Sequence, residues 1–124
     1  MFHLSLPVEA FSECLTFYRE CFGADVVMLN GRAANLFVFG GQLTLHDKPD
    51  SAIDSEHRRE MHFGHVVTTA DWFAIRDRVR NSARPVLRCE EPSISNETRG
   101  KLIIVDPSGN IVEINGGLQS AGRC

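Results

Sequence analysis

Two histidines and one glutamate occupy strand-like positions from which they can do chemistry together. His3 opens the run HLSLPV, His62 opens HFGHVV, and Glu113 lies inside NIVEING. Two imidazoles and a carboxylate match the ligand set of non-haem Fe(II) oxygenases and of catalytic zinc. Imidazole suits Zn, Fe, Ni, Co and Cu alike, and the carboxylate admits Mn(II), so ligand type alone does not name the metal. Glu113 has the apolar neighbours Ile111, Val112 and Ile114. A carboxylate buried there without a partner is costly, so a metal, an arginine or a lysine is expected beside it. His46, in the run QLTLHD, is a fourth candidate, as an extra ligand or as an acid/base group.

These side chains can converge only if the chain is built twice. In residues 2–8, His3, Ser5 and Pro7 alternate with Leu4, Leu6 and Val8, the period of a half-buried strand. Phe11, Leu15, Tyr18 and Phe22 then recur at helical spacing, with Ser12 as the expected cap and Gly23 as the left-handed stop. Three apolar runs follow, ADVVML, AANLFVFGG and QLTLHD, the first two divided by an Asn30-Gly31 turn. The same order returns after residue 61: the strand HFGHVV, a helix DWFAIRDRVRNSA opening near Asp71, then PVLRCEEP, KLIIVDPSG and NIVEING.

Laying His62 on His3 gives an offset of 59 (62 minus 3), and laying Glu113 on His46 gives 67 (113 minus 46). On that alignment His46 is the counterpart of Glu113. Aligning Gly109 with Gly41 instead puts Leu45 opposite Glu113, but Leu43 and Leu45 are the apolar face of that strand, so His46 is preferred. Module one is expected over residues 1–50, a polar connector over 51–60, module two over 61–117 and a tail over 118–124, all within one domain.

Composition narrows the function further. The 124 residues are 43% hydrophobic and 23% charged, with a formal net charge of -3. That balance opposes a phosphate-backbone footprint, so no nucleic acid is expected. No run approaches a membrane span or a signal peptide, and a cytoplasmic protein is expected. Cys14, Cys21, Cys89 and Cys124 lack disulfide or CxxC spacing and are read as reduced thiols. Cys14 and Cys21 share a helix face but stand roughly 10 Å apart along its axis.

Several residues have plainer readings. His65 falls on the face opposite His62 and reads as a boundary histidine, while His57 reads as solvated beside Arg58 and Arg59. Cys89, Glu90 and Glu91 read as surface or supporting residues. Asp106-Pro107-Ser108-Gly109-Asn110 reads as a turn that delivers Glu113, and Phe2, Phe37, Phe39, Phe63 and Trp72 as core or pocket lining.

FHLSLPVEAFSECLTFYRECFGA, MHFGHVV and the late DPSGNIVEI together resemble the vicinal oxygen chelate superfamily, which includes glyoxalase I, type I extradiol dioxygenases, fosfomycin-resistance proteins and bleomycin-binding proteins. The resemblance spans residues 2–116. It implies an α+β fold of two βαβββ modules forming an eight-stranded, open, cup-shaped barrel with helices outside, around a divalent metal. It implies His3, His62 and Glu113 as ligands, a set similar to the extradiol dioxygenases, which favours Fe(II) over Ni, Zn or Mn. His46 falls where glyoxalase I would carry a glutamate. A small-molecule substrate with two adjacent oxygens is implied, and a homodimer that sometimes pairs modules between chains. The alternatives are a glyoxalase-like lyase, isomerase or thiol transferase, and a metal-free small-molecule (antibiotic) binding protein.

Overall fold

The computed structural model describes residues 1–58 and 60–117; Arg59, Cys124 and the rest of the expected tail lie outside the described residues. β1 (His3–Val8), α1 (Phe11–Phe22), β2 (Asp25–Asn30), β3 (Ala33–Val38) and β4 (Gly41–Asp47) form the first unit. A 3-10 turn (Pro49–Ser51) and α2 (Ser55–Arg58) occupy the connector. β5 (His62–Val66), α3 (Thr69–Asn81), β6 (Val86–Glu90), β7 (Gly100–Val105) and β8 (Ile111–Gly116) repeat the order. The fold is α+β, two βαβββ modules with one four-stranded sheet each, ordered β1-β4-β3-β2 and β5-β8-β7-β6. The cup is open, because β1 and β5 each end their sheet.

Alternation decides what each sheet buries. Leu6, Val8, Leu36, Leu43 and Leu45 turn inward against Phe17, Tyr18 and Cys21 of α1, while His3 and Ser5 face out. The second sheet seats Trp72 of α3, which is fully buried and donates its indole N–H to the Ile114 carbonyl at 3.1 Å. Of the aromatics expected in the core or lining a pocket, Phe37 is exposed on the outer face of the first sheet, and Phe2 is exposed but lines a small pocket with Phe39 and Phe63. Gly23 ends α1 in the left-handed conformation as expected, with Ala24 N–H closing onto the Tyr18 carbonyl. Ser12 is not the cap: Ala10 precedes the helix at φ 51, no side chain caps it, and Ser12 falls in the first turn. On α3 the cap is Thr68, whose hydroxyl accepts from Asp71 N–H.

The modules meet at buried polar groups as well as apolar ones. Tyr18 donates its hydroxyl to Asp106 Oδ2 at 2.7 Å, across 88 residues of sequence. Burial raises the Tyr18 hydroxyl well above its ordinary 10, with the Asp106 charge adding to the effect. Burial and then Asp106 push the Cys14 thiol from 9.0 up to about 12, and burial raises Cys21 too. A group whose pKa rises on folding contributes stability that is complete below its unfolded value and is lost as pH climbs through the folded one. Stability is therefore expected to be flat through neutrality and to fall above about pH 9, as the thiols and then Tyr18 are driven to ionise. Circular dichroism along an alkaline titration checks this, and Cys14→Ala shifts the fall to higher pH.

Candidate functional site

The outward face of each sheet carries the residues singled out above. In the second sheet the parallel ladder pairs His62 with Ile111 and Gly64 with Glu113, and the antiparallel ladder pairs Ile103 with Glu113. His62 and Glu113 therefore share the outer face, with His62 Nε2 3.7 Å from Glu113 Oε2. The Glu113 side chain is 17% exposed and the His62 side chain 53%. Asn115 Nδ2 donates to the same Oε2 at 3.2 Å, and Ile111 and Ile103 flank the carboxylate on the neighbouring rungs. A cleft of about 370 Å³ opens over His62, Gly64, Glu113 and Asn115.

Donor atoms on a tetrahedral zinc with bonds near 2.1 Å stand roughly 3.4 Å apart, so one ion between His62 and Glu113 fits this spacing. The donor set is right for a divalent ion of the Zn or Fe type. Two ligands are nonetheless fewer than such a site needs. Among the described residues no group of three or more His, Cys, Asp or Glu is gathered to hold a metal. His3 lies on the other sheet, on its own edge strand.

Gly64 permits the close approach of β5 to β8, because a Cβ there would overlap the backbone carbonyl of Glu113. Gly64→Ala is expected to part the two strands at a cost of about 1–3 kcal/mol, read from the urea midpoint, and to separate His62 from Glu113.

The first sheet presents a neutral polar surface. Gln42 Nε2 stands 3.3 Å from His3 Nδ1, 3.3 Å from Asn35 Oδ1 and 3.4 Å from Thr44 Oγ1, and the Thr44 hydroxyl donates to Asn35 Oδ1 at 2.7 Å. His46 Nε2 is 3.0 Å from Ser5 Oγ. The ladders correct the sequence alignment. β1 pairs Ser5 with Thr44 as β5 pairs Gly64 with Glu113, so Thr44, not His46, is the counterpart of Glu113, at an offset of 69 (113 minus 44). His46 shares the face but lies one rung further, opposite Pro7, and its counterpart is Asn115.

The remaining candidates resolve simply. His65 is half-buried, its ring 6.1 Å from that of Phe39, at the seam between the modules. Phe39 holds that seam from a left-handed backbone (φ 57), its ring against Phe22, Tyr18 and Phe63. His57 is exposed and bonded to Asp54, whose carboxyl is lowered first by the His57 backbone N–H and then by the ring. Cys14 and Cys21 are buried free thiols and Cys89 an exposed one. Sequence reasoning missed Gln42, Asn35 and Thr44; their place on the same outward face as His3 was the signal available. No described helix is long and apolar enough to cross a membrane.

Residues 1–114 match the model of the Glyoxalase/Bleomycin resistance protein/Dioxygenase superfamily. No curated protein matches the chain in sequence. Among solved structures, the genomically encoded fosfomycin resistance protein FosX from Listeria monocytogenes superposes with TM-score 0.77 at 14% identity, over 97% of this chain and 94% of that one. Its complex with Mn(II) and sulfate gives 0.73 at 12% identity, over 97% and 91%. A glyoxalase/bleomycin resistance protein/dioxygenase from Alicyclobacillus acidocaldarius gives 0.72 at 20%, over 98% and 93%. Lactoylglutathione lyase from Agrobacterium tumefaciens gives 0.67 at 21%, over 94% and 92%. At these identities the likeness shows the fold.

Proposed function

The chain belongs to the glyoxalase/bleomycin resistance protein/dioxygenase superfamily, and from that premise we propose that it is a divalent-metal-dependent enzyme acting on a small molecule with two adjacent oxygens. The observation that carries the reading is the His62–Glu113 pair, spaced for one ion and opening on a cleft, with His3 outward on the matching strand of the other module. His3, His62 and Glu113 are the proposed ligands. When bound, the ion supplies a Lewis acid and a template for the two oxygens.

The chain's own residues do the rest. Asn115 fixes the Glu113 carboxylate, and Ile103 and Ile111 keep water from its flanks. His46 can hold a proton at Nε2 and pass it through Ser5 Oγ toward the face that carries His3. We assign His46 this acid/base role rather than that of a ligand.

The third ligand comes, in this reading, from a second copy of the chain. β1 and β5 are both edge strands, and Val66 of β5 remains exposed. A homodimer that sets β1 of one copy beside β5 of the other covers these edges and brings His3 to His62 and Glu113.

The ligand set favours Fe(II) and ring-cleaving dioxygenase chemistry. Thr44 at the place opposite Glu113 leaves no second carboxylate there, which counts against the glyoxalase I pattern. The Mn(II) complex of the Listeria protein keeps the harder ion, with lyase or transferase chemistry, as the second reading. Plasma mass spectrometry on untagged, chelator-free protein tests the proposal, with about one metal per chain expected. Iron directs the assay to catechols under air, and Ni, Zn or Mn to isomerase, lyase or transferase substrates. No metal after anaerobic reconstitution with each ion overturns the reading in favour of a small-molecule binding protein.

A further inference from the structure

The arginines of this chain differ in what answers their charge. Arg76 and Arg88 are paired with carboxylates, whereas Arg84, between α3 and β6, has no ion-pair partner among the described residues. Its guanidinium is partly buried, 5.9 Å from the centre of the Phe17 ring. Nη2 donates to the Val105 carbonyl at 3.3 Å, while Nε is sealed off without an acceptor, the one buried side-chain polar atom left so among the described residues. Nη1 makes no hydrogen bond either, but it is not sealed. The Asp106 carboxylate, which borders one cleft with Arg84, spends its oxygens on Tyr18, Ser108 and Asn110. A cation drawn out of water with one hydrogen bond and no counter-charge is costly, and an anion beside it offsets that cost.

Arg84 and Pro107 stand where two clefts adjoin. The cleft of about 540 Å³ is lined by the acidic residues Glu9, Asp54 and Asp106, and its one hydroxyl, on Ser108, already accepts from Glu9 N–H. The other, of about 380 Å³, lies between α1 and Ser82 at the end of α3. Ser12 and Thr16 are one turn apart on its α1 wall, and neither hydroxyl is engaged among the described residues. Glu13 and Glu20 line the same wall. Ser82 is occupied in holding the loop: its hydroxyl donates to the Val79 carbonyl and accepts from Arg84 N–H.

We propose that this second cleft binds a small amino-carboxylate, its carboxylate on Arg84 and the Ser12 and Thr16 hydroxyls and its ammonium toward Glu13 and Glu20. The charges choose the ligand. A dianionic phosphate gains one guanidinium and meets two carboxylates, whereas a zwitterion finds an opposite charge for each end. The volume lies near the small end of the range for small-molecule sites. The cleft is on the helix side of the sheets, away from the outward face of His62 and Glu113, so its occupation does not depend on a metal.

The test is titration of the full chain with γ-aminobutyrate, followed by 15N–1H NMR of the backbone amides and of Arg84 Nε–H. Butyrate, n-butylamine and inorganic phosphate are the comparison probes. Saturating shifts are expected at Ser12, Thr16 and Arg84 and not at His62 or Glu113, with a Kd of about 1 mM or tighter. Butyrate should bind about tenfold more weakly, and butylamine and phosphate should not saturate. Arg84→Gln should weaken γ-aminobutyrate at least about tenfold, and Arg84→Lys less, because it keeps the charge and loses the fork. Thr16→Val, on an exposed helix face, should cost about 2–10-fold and serves if the Arg84 variants fail to fold.

No saturation by γ-aminobutyrate up to about 50 mM would overturn the proposal. So would an affinity unchanged in Arg84→Gln or, where that variant does not fold, in Thr16→Val. Phosphate or butylamine binding as tightly as γ-aminobutyrate would overturn the assignment to a zwitterion.

Discussion

On the proposed ligand set, His3→Ala and Glu113→Ala proteins are each expected to lose their metal alone and to recover about one quarter of the wild-type sites when unfolded together and refolded as a mixture. The number follows from symmetry. Half of the refolded dimers pair one variant with the other, and each of those has one site that lacks both changed ligands and one that keeps all three. A site drawn within a single chain recovers nothing, because every chain then lacks a ligand.

The separation of the two edge strands is the reason to expect recovery. His62 and Glu113 stand 3.7 Å apart on one sheet, while His3 is on the other and no third metal-capable side chain joins the pair among the described residues. On the proposed site, removing either residue of the pair should cost more than about 100-fold in affinity, the upper end for outer partners, since a direct ligand would be lost. Elemental analysis of the two variants and of the mixture reads all three values. Recovery well below a quarter, with wild type fully loaded, places the three ligands in one chain.

Asp106→Ala should be the most damaging single change to stability, at about 3–5 kcal/mol in urea unfolding. The Asp106 carboxylate, 1% exposed, accepts from Ser108 N–H at 2.9 Å, Asn110 N–H at 2.8 Å, Asn110 Nδ2 at 3.0 Å and the Tyr18 hydroxyl at 2.7 Å. Removing it leaves buried donors without partners, and that loss exceeds the net value of any one bond. The turn that delivers Glu113 loosens with it, so the proposed metal site should weaken as well. Tyr18→Phe removes one of the four donors and should cost about 1–3 kcal/mol. The two residues touch, so the double variant should lose less than the sum, by about 0.5–3 kcal/mol. Strict additivity would show that the hydroxyl and the carboxylate do not act as a unit.

The sequence by itself determined the elements and their repetition. Period-two alternation in HLSLPV and HFGHVV, helical spacing from Phe11 to Phe22, and the left-handed stop at Gly23 are local consequences of backbone geometry, and the structure has them where the spacing puts them. Alternation also put His3, His62 and Glu113 on outward faces. It left the rung open: an offset of 68 inverts a face, but 67 and 69 have the parity that turns His46 or Thr44 the same way. Choosing wrongly between those two moves a side chain one rung, about 6.6 Å along the strand. Only the hydrogen-bonded ladders separate them, and they set Thr44 opposite Ser5. Asp106 likewise reads locally as a turn residue, and its bond to Tyr18 exists only because the two modules pack together. The distribution of the candidate ligands over two sheets was the tertiary structure's to decide, because strand order and sheet edges are set by pairing between distant segments, which no local period encodes.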